Sequence, residues 1–337
     1  MNLPGKKVLV TGAAGTLGSH VVRELLTRGA QPVAHARAES DTDTLDRLGI
    51  EKRLADLRDG PALCRAAEGI DAIIHSAAWV DFRADRLTQF AGINTMGAVL
   101  MFEAARRAGV PRFVHVSSVG AVGARSRKDA PAGARDMDPV NENQQFNLDH
   151  LRIPYIMTKR AAERELLAAA AHAGSPSLVI VNPSIILSGA TGGPGNLRIH
   201  RHFRRLWLPD FPNLVNIVDV RDVAAGVVAA LEHGRPGERY ILGGDDIPAR
   251  ELALQVSHVL GRTPHLVRIP RTIIGFAARA AELWCRFAGR SRIGFYPDLV
   301  RLLDYDWCFS SAKARAELGY RPRALLISLE DYLSETM

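Results

Sequence analysis

The stretch from Lys7 to Gly18, reading KVLVTGAAGTLG, constrains this chain more than any other. Val8, Leu9 and Val10 form the short apolar run of a strand buried on both faces. Glycines follow at 12, 15 and 18, and Leu17, Val21, Val22, Leu25 and Leu26 then recur at helical spacing. A strand, a tight glycine turn and a helix make an anion site, because the first helical turn presents unpaired N–H groups and a partial positive charge. Gly12 and Gly15 let the backbone turn sharply and approach a pyrophosphate, while Gly18 lets the helix pack close to the sheet. The spacing is G-x-x-G-x-x-G rather than G-x-G-x-x-G, and a strand-to-helix turn without a ligand is the bland alternative. Between this strand and this helix, the stretch reads as a dinucleotide site.

The next strand, predicted near Pro32 to Ala36, decides which dinucleotide. A carboxylate at its end would accept from a ribose 2′-hydroxyl, whereas a cation there would hold a 2′-phosphate. The strand ends at Ala36 and Arg37 follows, with Glu39 falling in the loop. Arg37 is favoured as a 2′-phosphate ligand over a solvated loop arginine, so the expected cofactor is NADP, with NAD as the alternative. Arg53 to Asp56 reads as a third strand, and Asp56 at its end is placed to bind the adenine amino group. Asp59 and Pro61 suit a helix start. Asp71 to His75 is a fourth strand, and the small Ser76, Ala77 and Ala78 after it let a ribose and diphosphate lie against the backbone. His75 reads as a packed strand-end residue rather than a catalyst.

A helix from Ala91 to Ala108 carries Asn94, and the strand Arg112 to Val116 leads into Ser117-Ser118. The polar stretch 124–151 is long for a connection in a compact domain and suggests a lid or substrate-reading loop. Tyr155 and Lys159 then open an alanine-rich helix four residues apart, so phenol and ammonium share one face.

The 337 residues are 47% hydrophobic and 23% charged, an ordinary globular composition. The net charge of +7 favours acidic ligands, but the charges are scattered and no nucleic-acid motif accompanies them. Cys64, Cys285 and Cys308 are far apart, so neither a disulfide framework nor a metal site is expected. The first strand begins too early for a signal peptide, and no apolar run approaches the roughly 18 residues that span a bilayer. A cytoplasmic setting without an integral membrane segment is the expectation.

With these residues assembled, the chain resembles the extended short-chain dehydrogenase/reductase superfamily. The carriers, in order, are T-G-x-x-G-x-x-G at Thr11 to Gly18, the Asp56 strand end, Ser118, and Tyr155-x-x-x-Lys159. Val181 to Ser184, Asn216 to Ala224 and Gly319-Tyr320-Arg321-Pro322 also match, so the resemblance covers essentially the full length. It is nearest to the group around dihydroflavonol 4-reductase and the 3β-hydroxysteroid dehydrogenases. Sugar-nucleotide epimerases usually carry Arg-Pro where this chain has Asn182-Pro183, and dehydratases place Asp-Glu where Val119-Gly120 follow Ser118. Both departures weaken the sugar-nucleotide reading.

The resemblance implies a Rossmann doubly wound α/β domain over residues 1–180 and a smaller α/β substrate domain over 181–337, with some chain returning to the first. It implies Ser118, Tyr155 and Lys159 as catalytic residues. It implies cofactor contacts from Gly12, Ala14, Gly15, Thr16, Leu17, Gly18, Arg37, Asp56, Leu57, Ala77, Ala78, Asn94, Tyr155, Lys159 and Pro183. Chemistry accounts for the catalytic set directly. Reducing a ketone leaves an alkoxide that Tyr155 can protonate, an ammonium one turn away favours the phenolate, and Ser118 adds a bond to the carbonyl oxygen.

The leading function is NADPH-dependent reduction of a ketone or aldehyde on a molecule of moderate size and apolar character. An NAD-dependent sugar-nucleotide epimerase or dehydratase and a non-catalytic NADP sensor are the alternatives. A homodimer through the helices 91–108 and 155–171 is expected from the superfamily. The basic run His200 to Arg205 could hold a substrate carboxylate or phosphate, but a solvated face is the favoured reading. Arg271 to Ala288 carries apolar residues at helical spacing among arginines. A membrane surface would suit it, but packing over the substrate cleft or core is the favoured use.

Overall fold

Val8, Leu9 and Val10 are fully buried at the centre of a parallel sheet. The computed structural model describes residues 1–80, 87–127, 138–188, 207–259, 261–288 and 297–334. The strands are β1 (Lys7–Thr11), β2 (Gln31–Ala36), β3 (Glu51–Leu54), β4 (Ala72–His75), β5 (Arg112–Val116), β6 (Arg125–Ser126), β7 (Ser177–Pro183), β8 (Ile185–Leu187), β9 (Trp207–Pro209), β10 (Leu214–Asp219), β11 (Arg239–Leu242), β12 (Asp245–Pro248), β13 (His265–Val267) and β14 (Tyr305–Asp306). The helices are α1 (Thr16–Thr27), α2 (Asp43–Arg47), α3 (Gly60–Ala67), α4 (Leu87–Phe90), α5 (Gly97–Arg107), α6 (Pro154–Ala170), α7 (Val220–His233), α8 (Ala249–Val259), α9 (Arg271–Phe287), α10 (Pro297–Arg301), α11 (Ala312–Leu318) and α12 (Leu325–Ser334).

The main sheet has the order β3-β2-β1-β4-β5-β7-β11, and every neighbouring pair is parallel. Successive side chains alternate between two cores: Val8, Val10 and Ile74 face one, Leu9 and Ile73 the other. Helices α1, α7 and α11 cover the first face, and α3, α5 and α6 the second. The strand order reverses between β1 and β4, the switch point where open α/β sheets receive ligands. The doubly wound Rossmann expectation is met.

Three details differ from the sequence reading. The third strand is Glu51–Leu54 and stops short of Asp56; its last bond runs from Ala55 N to Ala36 O at 3.1 Å. Asp56 belongs instead to a tight turn that accepts Arg58 N at 2.8 Å. The apolar run Leu178 to Val181 suggests a strand that closes the parallel sheet, but β11 pairs outside β7 and takes the edge. The chain beyond residue 180 therefore returns to the first sheet through β11, and α7 packs on α1. The helix expected from Ala91 starts earlier, at Leu87, and passes through a π-helical turn at Ala91–Met96 before α5.

Part of the second half forms a separate small layer among the described residues. β8, β10 and β12 form a three-stranded sheet packed on α8 and α12 through Ile217, Ile247, Leu252, Val256, Leu325 and Leu329. Buried Asp219 caps α7, pairs with Arg221 at 2.7 Å and accepts Tyr332 Oη at 3.0 Å, fixing α12 to the main sheet's helix. The polar stretch 124–151 is anchored at both described ends: β6 pairs antiparallel with β14, and Leu148 and Leu151 are buried against Tyr305. Its residues 128–137, and the basic run His200 to Arg205, lie outside the described residues.

Candidate active site

The glycine turn is built for close approach. Gly12 has φ +69°, and a Cβ there would meet Ala77 Cα at 2.8 Å, so only glycine lets the loop after β4 lie against the loop after β1. A Cβ at Gly18 would meet the Gly12 carbonyl oxygen at 2.1 Å. Gly18 thus seals α1 onto its own entry loop rather than onto the sheet. Gly15 caps α1 without a side-chain hydrogen bond, and no acidic residue lies in the first turn. Backbone N–H groups and an uncompensated dipole therefore face the cleft, which fits a pyrophosphate.

Lys159 and Tyr155 are presented by α6, which Pro154 starts at its first turn. Ser118 caps the short 3₁₀ turn after β5 and hydrogen-bonds the Tyr155 hydroxyl. Burial raises the pKa of Tyr155, and the Ser118 hydrogen bond offsets this only in part. The net shift is upward, against the expected depression, and Lys159 Nζ donates to the Val116 carbonyl at 2.8 Å. Lys159 is buried, and loss of solvation lowers its pKa to about 8, with Glu163 working in the opposite sense.

Glu163 is a residue the motif does not contain. It is fully buried one turn beyond Lys159, with Arg239 at 3.0 Å and Asn182 Nδ2 at 2.6 Å. Asn182 Nδ2 also donates to the Ser118 carbonyl at 2.9 Å. The buried set Lys159–Glu163–Asn182 thus reaches back to the loop that carries Ser118. Tyr155, Lys159 and Glu163 recur every four residues, a helical spacing that would have flagged the glutamate.

At the other end, beyond β2 and β3, Arg37 pairs with Glu39 at 3.3 Å, both largely exposed. Arg58 grips Asp56 with two nitrogens, at 2.6 and 2.9 Å. That grip holds the Asp56 carboxyl down at about 2, the Arg58 hydrogen bond being the main cause. Arg58 is the second cation here, and its signal in the sequence was its place two residues after Asp56.

One cleft of about 1610 Å³ joins these parts. Gly12, Ala14, Gly15, Thr16, Leu17, Arg37, Asp56, Leu57, Ala77, Ala78, Ser118, Tyr155, Lys159 and Pro183 line it. Gly18 and Asn94 do not. Asn94 is buried beneath, accepting Trp79 N at 2.7 Å and donating to Trp79 O at 3.0 Å and Thr158 Oγ1 at 3.3 Å. It ties the β4 loop to α6 and acts on the site through them. His75 is also buried, with Nδ1 2.9 Å from Thr11 Oγ1. Beyond Tyr155 the cleft turns apolar, lined by Ile185, Phe211, Val215, Leu302, Leu303 and Trp307.

A sequence model of the NAD dependent epimerase/dehydratase family matches residues 8–243. The chain belongs to this family. This epimerase/dehydratase-family chain is 32% identical over 333 residues to sterol demethylase protein B of Methylococcus capsulatus, with 96% of each chain covered. It is 30% identical over 338 residues to a putative dihydroflavonol 4-reductase of Synechocystis, covering 96% of this chain and 92% of that one. The crystal structure of gox2253 aligns with a TM-score of 0.83 at 30% identity, covering 98% and 97% of the two chains. The family member described here is therefore an NAD(P)-dependent oxidoreductase of the extended short-chain type.

Proposed function

We propose that this chain reduces a ketone or aldehyde to an alcohol with NADPH, Tyr155 supplying the proton. The observation that carries the reading is the Ser118–Tyr155 hydrogen bond at the junction between the glycine-loop half of the cleft and its apolar half. Bound along the glycine loop, NADPH would supply the hydride. The α1 N-terminus and the Gly12 turn would hold its diphosphate, and Arg37 with Arg58 would hold its 2′-phosphate.

The chain's own residues do the rest. A carbonyl oxygen seated between Ser118 and Tyr155 receives two hydrogen bonds, which strengthen as negative charge develops on it. Tyr155 stays protonated because burial raises its pKa, so it is ready to give its proton to the forming alkoxide. Lys159 places a positive charge one turn below, stabilising the phenolate left behind. The aliphatic and aromatic lining beyond Tyr155 favours an apolar substrate, in keeping with the sterol in the name of one relative.

The alternative is an epimerase acting on a sugar nucleotide with retained NAD. The family's name favours it, whereas Asn182 lacks the charge of the usual arginine, and the lining beyond Tyr155 is aliphatic and aromatic apart from Ser184 and Asn213. A non-catalytic sensor would need no proton donor at Tyr155. Loss of reduced-nicotinamide absorbance on mixing protein, NADPH and a panel of apolar ketones tests the reading; no turnover with any of them, alongside turnover of a sugar nucleotide, would replace it.

A homodimer is part of the same proposal. Met96 and Met157, on the helices expected to pair, are exposed in the single chain. A monomer mass by light scattering at micromolar concentration would remove it.

A further inference from the structure

Helix α9 turns its apolar side outward, contrary to the expectation that it packs on the cleft or core. Ile273, Phe276, Leu283, Trp284 and Phe287 fall on one face, and Phe276, Trp284 and Phe287 are 76%, 66% and 89% exposed. The helix is held by its opposite side, where Ala278 and Cys285 are buried two turns apart. Arg271 at its start pairs with Asp304, so the exposed face is fixed in position. The strand pair leading into it adds exposed Val267 and Trp207. Single exposed apolar residues are ordinary, but a clustered ridge of this kind marks an interaction surface.

The surrounding charge says what the ridge meets. Residues 262–288 contain five arginines and one acidic residue, Glu282. Arg268 and Arg279 are exposed among them, while Arg271 is engaged by Asp304. An aromatic ridge flanked by arginines is the pattern of a helix lying in the plane of an anionic lipid surface. A second copy fits less well. A helix of 17 residues is about 25 Å long and offers on the order of 300 Å² of face, against the roughly 800 Å² per partner of a stable interface. Self-pairing would also bring like charges together.

We propose that α9 docks this protein peripherally on an anionic bilayer, with its aromatic ridge in the acyl boundary and its arginines among the headgroups. Leu302 and Leu303 line the cleft beside Asp304, so docking would bring the cleft's apolar end to the lipid. That consequence rests on the reductase reading; the docking does not.

The test is co-sedimentation with phosphatidylcholine vesicles, pure or mixed equally with phosphatidylglycerol. The protein should pellet with the mixed vesicles and be released by salt. Its tryptophan emission should shift to the blue and be quenched by brominated acyl chains, a change that Trp284→Phe reduces. Phe276→Ser with Phe287→Ser should lower binding about tenfold or more, with thermal stability and mass unchanged. Binding indifferent to lipid charge, a wild type left in the supernatant, or a double variant that binds equally would overturn the proposal. So would a wild-type dimer that the double variant converts to monomer, which would assign the face to a second copy. No turnover is measured, so failure here leaves the reductase reading standing.

Discussion

Asn182 Nδ2 donates to the carbonyl oxygen of Ser118 at 2.9 Å while the same nitrogen lies 2.6 Å from Glu163 Oε1. One buried amide thereby fixes the serine loop and the carboxylate behind Lys159. Asn182→Leu removes both bonds and leaves buried acceptors unpaired, at about 1–3 kcal/mol each. A lower unfolding midpoint in denaturant, with reduced turnover, is the expected outcome; unchanged stability would mean that the bridge contributes nothing.

Tyr155→Phe should lower turnover by roughly 10²–10⁴, the usual consequence of losing a general acid. The ring and its packing are retained, so NADPH affinity measured by fluorescence titration should change by no more than a few-fold. Intact activity in this variant would remove Tyr155 from the mechanism.

The alkaline limb of the rate profile should report Lys159. Its pKa lies at about 8, lowered by burial, so the ammonium is present below that pH and lost above it. Activity that depends on the charge therefore falls as pH rises through about 8. Glu163 raises this pKa, so Glu163→Gln should move the limb to lower pH. A limb that stays put, or moves up, would separate Glu163 from the ammonium.

The cation pair beyond β2 and β3 should set the dinucleotide preference. Arg37→Asp and Arg58→Ala should each weaken NADPH binding by about tenfold or more while sparing NADH. In Arg58→Ala the Asp56 carboxyl should also titrate at higher pH, because its main stabilising partner is gone. Equal affinity of the unmutated protein for NADPH and NADH would contradict this assignment.

Much of the architecture was legible because its signals are local. The apolar run at Val8 to Val10, the glycine turn and the four-residue step from Tyr155 to Lys159 each specify their own geometry. What escaped depends on contacts between distant segments. β11 joins the main sheet through pairing with β7, 59 residues earlier by the Arg239–Ile180 register, and a short strand carries no mark of its partner. Asn182 was legible only as a departure from a motif, since its partners Ser118 and Glu163 come from two other elements. For α9, periodicity identified two faces but not which one the fold would cover.

The central claim is net reduction, and cofactor stoichiometry tests it most directly. In a reductase the hydride leaves with the product, so NADPH lost should match alcohol formed one for one on an apolar ketone. In an epimerase the hydride returns to the substrate and no net loss occurs. One-for-one consumption is the predicted result; product from a sugar nucleotide with the cofactor undiminished would contradict it.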